Sequence, residues 1–161
     1  MAVCLARVVS RTDSASRVMP ATPERIYAAL VDEHALTAWL PPAGMTGRFE
    51  FFDARPGGGY RMALTYDDPS RTGKSAGATD VVDAQYVELT PAVRVVQTVV
   101  FDSEDSAFAG TMTMTWELHE VDGGTEVVFR ADDVPDGISA ADHAAGMNAS
   151  LTNLARFLAD G

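Results

Sequence analysis

From Gly44 to Ala131 apolar side chains recur at every second position, in short runs separated by Gly, Pro and Asp. Tyr60, Met62, Leu64 and Tyr66 share one face of such a run; Met112, Met114, Trp116 and Leu118 share one face of another, with Thr111, Thr113, Thr115, Glu117 and His119 opposite. A period of two puts successive side chains on opposite sides of an extended chain, so this block predicts about six antiparallel strands with one apolar face. Asp122-Gly123-Gly124 supplies the positive-φ positions of a tight hairpin, and Asp53 to Gly59 supplies a longer connection. From Ser139 to Asp160 the period becomes helical. Ala140, Met147, Leu151, Leu154 and Leu158 gather on one stripe, with Asp142, Thr152, Asn153, Arg156 and Asp160 opposite. Ser139 is the N-cap, and Asp142 takes the capping-box position. A sheet with one apolar face and a helix long enough to cross it bury both surfaces when the helix packs into the concave side of the sheet.

Ahead of the sheet block, Val3 to Ser10 reads as a strand, and the Ser/Asp/Ser run after it as its continuation into a loop. Thr22-Pro23 starts a short helix carrying Ile26, Tyr27, Leu30 and Val31. Leu36, Trp39 and Leu40 mark a second, stopped by Pro41-Pro42, which cannot donate to a helical ladder. The expected class is α+β, with two short helices between the first two strands.

The length of 161 residues and an apolar content of 47% suit one domain spanning 1–161, able to bury a core or enclose a cavity. No window reaches the ~18 continuous apolar residues of a membrane span, and Arg7 interrupts the N-terminal apolar run, so a cytoplasmic protein without an integral membrane segment is expected. The single cysteine, Cys4, excludes an internal disulfide and a cysteine-rich metal site. With 23 acidic against 12 basic residues and a net charge of -11, nucleic acid is not expected as a partner.

Two catalytic patterns overlap in Asp68 to Gly77, DPSRTGKSAG. Gly73-Lys74-Ser75 ends like a phosphate-binding loop, but Asp68 stands where the first glycine belongs and Pro69 removes an N–H. Gly73 to Gly77 also satisfies the G-x-S-x-G nucleophile elbow, with His119 and His143 downstream. The elbow needs a helix directly after Ser75, whereas the β-branched and aromatic residues from Thr79 to Thr90 favour a strand. A hairpin loop is the expected reading of the stretch. Asp132, Asp133, Asp136 and Gly137 lack the alternating spacing of a calcium loop, and His34, His119 and His143 lack metal-ligand spacing. No metal and no cofactor is expected.

Met19 to Tyr27 leading to Trp39-Leu40, Gly58-Gly59-Tyr60-Arg61, Tyr86 to Pro91, Gly124 to Val127, and Gly146-Met147 followed by Leu151, Leu154 and Leu158 resemble, in this order, the helix-grip fold of the START and Bet v 1-like superfamily (SRPBCC). Within it the chain resembles the bacterial relatives of the Hsp 90 ATPase activator C-terminal domain. The resemblance implies a curved antiparallel sheet wrapped around the last helix, with an apolar cavity between them. It implies a small hydrophobic or amphipathic ligand there; alternatively, a chaperone bound through the surface, or polyketide cyclase-like chemistry in which His143, Gln97 and Tyr86 orient a substrate. Homodimerisation stays open. Gln97 and Met147 depart from the aromatic residue and the tryptophan that members often carry there.

The candidate ligand-binding residues are Trp39, Tyr60, Met62, Tyr86, Gln97, Met112, Met114, Trp116, His143, Met147 and Ser150. His143 and Ser150 lie within about 60° of Met147 on the helical wheel, on the apolar stripe. A polar group there needs a partner or a cavity; for His143, a partly exposed place at the start of the helix is the alternative. Val95, Gln97 and Val99 alternate with Val96, Thr98 and Val100, so either set can face inward. The methionines and aromatic residues suit a flexible apolar ligand and equally a filled core.

Overall fold

The computed structural model describes residues 11–42, 44–68, 79–101, 103 and 105–160. The predicted strand at Val3–Ser10 and the glycine-rich part of DPSRTGKSAG lie outside these residues.

Along the chain come β1 (Thr12–Met19), α1 (Pro23–Leu30), α2 (Glu33–Trp39), β2 (Met45–Phe52), β3 (Gly59–Tyr66), β4 (Thr79–Thr90), β5 (Arg94–Phe101), β6 (Met112–Val121), β7 (Gly124–Asp132) and α3 (Ala140–Asp160), with a 3-10 turn at Ser106–Phe108. Among the described residues the strands form one antiparallel sheet in the order β1-β7-β6-β5-β4-β3-β2. The sheet is curved, and α3 lies against its concave face.

The helix boundaries follow local chemistry. Thr22 accepts a hydrogen bond from the Arg25 N–H at 3.2 Å, and Pro23 occupies the first turn, where no N–H is needed. Asp32 caps α2 through the Ala35 N–H at 2.8 Å, and Ser139 caps α3 through the Asp142 N–H at 3.0 Å. The Trp39 indole N–H donates to the Ala29 carbonyl at 2.9 Å, tying α2 to α1.

β4 is a strand over its full length, pairing with β3 from Gly59↔Gln85 to Thr65↔Thr79. From Thr79 onward the chain is therefore strand and not the helix that a nucleophile elbow requires, and β3 and β4 are antiparallel neighbours. The two strands approach closely at Gly59, where a Cβ would lie 2.0 Å from the Ala84 carbonyl oxygen.

One sequence reading is corrected. The polar run after Ser10 is not a loop but most of β1, paired with β7 from Thr12↔Asp132 to Met19↔Thr125. Alternation along β1 brings Asp13 and Arg17 to α3: Asp13 meets His143, and the Arg17 guanidinium donates to Thr152 at 3.0 Å. Polar residues suit this strand because it is a sheet edge facing the flank of a helix.

Met19, Ile26, Leu36, Trp39, Val95, Val127, Leu151, Leu154 and Leu158 are buried in the core. Trp116 stacks on Phe129 with centroids 3.7 Å apart, and Trp39 meets Trp116 edge-on at 5.7 Å. Leu154 is fully buried and Arg156, on the same helix, is exposed. Leu154→Ala is expected to cost about 2–5 kcal/mol in urea unfolding, and Arg156→Ala less than about 0.5 kcal/mol.

Candidate functional site

The first and second halves of α3 carry different side chains. Leu151, Leu154 and Leu158 fill the space under the second half. Under the first half the cavity-lining positions are Asp142, His143, Gly146, Met147 and Ser150, while Ala140, Ala141, Ala144 and Ala145 are exposed. Gly146 and Ser150 add little bulk, and a Cβ added to Gly146 would meet no atom within 4 Å. A cavity of about 530 Å³ remains between this half of the helix and the sheet.

β3 supplies Tyr60, Met62, Leu64 and Tyr66 to the wall; β5 supplies Gln97, Val99 and Phe101; β6 supplies Met112, Met114 and Trp116. Leu36, Trp39 and Leu40 enter from α2 and its end, and Phe108, Phe129 and Ile138 also line the space. Of the residues predicted from sequence, Trp39, Tyr60, Met62, Gln97, Met112, Met114, Trp116, His143, Met147 and Ser150 come together here.

Tyr86 does not. It is 1% exposed, packs edge-on against Tyr60 at 5.9 Å and Phe52 at 6.4 Å, and its hydroxyl donates to the Leu30 carbonyl at 3.4 Å. It faces inward, but behind the cavity wall and toward α1. Burial, reinforced by neighbouring Tyr60, pushes its hydroxyl pKa well above the usual tyrosine range.

The structure decides the direction of β5. Val95, Gln97 and Val99 point inward, Gln97 at 7% exposure, while Val100 is 39% exposed. Gln97 Nε2 donates to the Tyr60 hydroxyl oxygen at 3.2 Å. In either orientation of the amide, the pair retains a donor hydrogen that this bond does not consume. Burial raises the Tyr60 pKa, partly offset by the Gln97 bond, so the phenol stays protonated at neutral pH.

His143 is only 11% exposed in its side chain, and its Nδ1 lies 2.7 Å from Asp13 Oδ2. Arg11 approaches the same oxygen, with Nε at 3.2 Å and Nη2 at 3.1 Å. Asp13 and Arg11 lie outside the residues expected from sequence, because the polar run that holds them has too little apolar alternation to read as a strand. Burial acts to raise the Asp13 pKa, but the His143 hydrogen bond and the Arg11 charge outweigh it and hold the carboxyl below its ordinary 3.8.

His34 and His119 lie apart from this cluster on exposed surface, His119 beside Glu117 at 3.2 Å. Asp132 is engaged by Thr12 at 2.8 Å and Arg130 at 3.2 Å. Among the described residues no helix is long and apolar enough to cross a membrane.

Residues 20–159 match the family described as Activator of Hsp90 ATPase homolog 1-like protein. The chain belongs to this family. No curated protein is significantly similar to it. Among solved structures, a Chromobacterium violaceum protein is 32% identical with a TM-score of 0.78, over 91% of this chain and 96% of that one. A Rhodobacter sphaeroides protein is 26% identical with a TM-score of 0.76, over 92% of each chain. DynU16, from the dynemicin biosynthetic locus, shares the fold at 18% identity and a TM-score of 0.66, over 92% of this chain and 47% of its own. The activator-homologue family thus places the chain in the SRPBCC superfamily, with the helix-grip arrangement of sheet and C-terminal helix.

In this member of the family, the depressed Asp13 pKa carries a stability consequence. The ionised carboxylate is favoured in the folded chain, so its contribution is present above 3.8 and is lost as pH falls through the lowered folded value. Urea unfolding is expected to show Asp13→Asn less stable than the natural chain at pH 5, with the gap closing as pH falls below 3.8.

Proposed function

We propose that the chain binds one small hydrophobic or amphipathic molecule in the cavity between the sheet and the first half of α3. The observation carrying this reading is a space of about 530 Å³ where a core would otherwise be. Water entering it would find mostly Met, Leu, Val and aromatic side chains, with few polar partners. A ligand with an apolar body recovers the lost contacts, and the Gln97–Tyr60 pair and His143 supply the small number of polar groups that orient such a molecule.

The family description supports a second reading, contact with a chaperone ATPase through the outer surface. That contact would not depend on the cavity being open, and this separates the two.

Met147 is buried on the roof of the cavity. Nile red is expected to bind the natural chain at one molecule per chain, and Met147→Trp, which fills the space, to weaken it by more than about tenfold. Native mass spectrometry of the purified chain is expected to show a co-purifying small molecule that the variant lacks. Nile red binding unchanged by Met147→Trp would remove the cavity reading. Stimulation of an Hsp90-type ATPase by both forms would favour the surface reading.

A further inference from the structure

We propose that His143, held by Asp13 and Arg11, is a hydrogen-bond acceptor subsite of the cavity, and that the molecule it takes is an uncharged, largely aromatic compound carrying a hydroxyl group. The inference rests on the cavity being a ligand site and specifies what the ligand must present.

A carboxylate can only accept, so the short contact from Asp13 Oδ2 places a hydrogen on Nδ1 of His143. In the neutral ring this leaves the lone pair on Nε2. The ring lines the cavity, and among the described residues Nε2 has no hydrogen-bond partner. Arg11 approaches the same Oδ2, so the imidazole is oriented against a carboxylate that is itself held by an ion pair. A hydroxyl group on the ligand completes the arrangement by donating to Nε2.

Charge argues for an uncharged ligand. Asp142 lines the same end of the cavity and the chain carries a net charge of -11, so an anion would meet repulsion there. A cation would leave water for a predominantly apolar wall, where Asp13 is already engaged by Arg11 and His143. The stacked Trp116 and Phe129, with Met112 and Met114 beside them on the wall, suit a flat aromatic body.

The test compares 4-hydroxybiphenyl with 4-methylbiphenyl, which differ by a hydroxyl and a methyl of similar size, by calorimetric titration of the full chain. The hydroxyl compound is expected to bind about five- to tenfold more tightly, the worth of one buried hydrogen bond. In His143→Phe the preference for the hydroxyl compound should disappear or reverse. Equal affinities in the natural chain, or a hydroxyl preference that survives His143→Phe, would overturn the subsite and leave the cavity reading standing. Failure of both compounds to bind the natural chain would overturn both. The unmutated chain provides an independent readout: the ¹⁵N resonances of His143 should show the Nδ1–H tautomer, and Nε2 should shift with 4-hydroxybiphenyl but not with 4-methylbiphenyl. An Nε2 resonance that ignores both bound compounds would also overturn the subsite.

Discussion

A helix of 21 residues lies across a curved sheet, and the leucines that close the gap between them lie in its second half. Leu151, Leu154 and Leu158 make that half part of the core, and this contact holds the whole helix at a fixed distance from the strands. The first half is then suspended over the sheet by the rigidity of a continuous hydrogen-bonded rod. Gly146 and Ser150 cannot fill what lies beneath, and it cannot collapse inward without lifting the leucines out of their places. The cavity is thus a consequence of unequal side-chain size along one helix. Close packing at one end sustains the open space at the other.

The suspended half is also tethered at its start. Ser139 caps the first turn, and the Asp13–His143 contact joins that turn to β1, an edge of the sheet. Farther along, Arg17 reaches Thr152 from the same strand. β1 therefore acts as a rail along the helix, with a mostly exposed polar pair at Thr152 and a largely buried one at His143. The buried pair matters more, because a hydrogen bond to an ionised carboxylate that is shielded from water is stronger than an exposed neutral contact. The contact that stabilises the start of α3 also engages Nδ1 of a cavity-lining histidine.

Much of this was legible in the sequence because it rests on periodicity. Two-residue alternation identified the cavity faces of β3 and β6, and the helical wheel put His143, Met147 and Ser150 on the inward side of α3. The failures share a physical origin. β1 has little apolar alternation, since its inner face meets a helix flank and not a core, and so it resembled a loop. On β5, valines occupy both faces, and only pairing with a neighbouring strand and contact with Tyr60 distinguish Gln97 from Thr98. Tyr86 shows that inward and cavity-lining are different properties. Alternation reports the first, but whether another residue stands between a side chain and the cavity depends on the placement of Tyr60, Phe52 and α1, which are distant in sequence.

Gln97, on the sheet, and Met147, on the helix, belong to opposing walls of the same space. Tyr60 holds the Gln97 amide without consuming every hydrogen the pair possesses. Met147 is an unbranched, adaptable side chain. Neither is one of the leucines that pack the second half of α3 into the core. Because volume and polarity at the cavity are set at positions separate from the leucine packing that supports the helix, the fold can alter what its cavity accepts without altering how it stands.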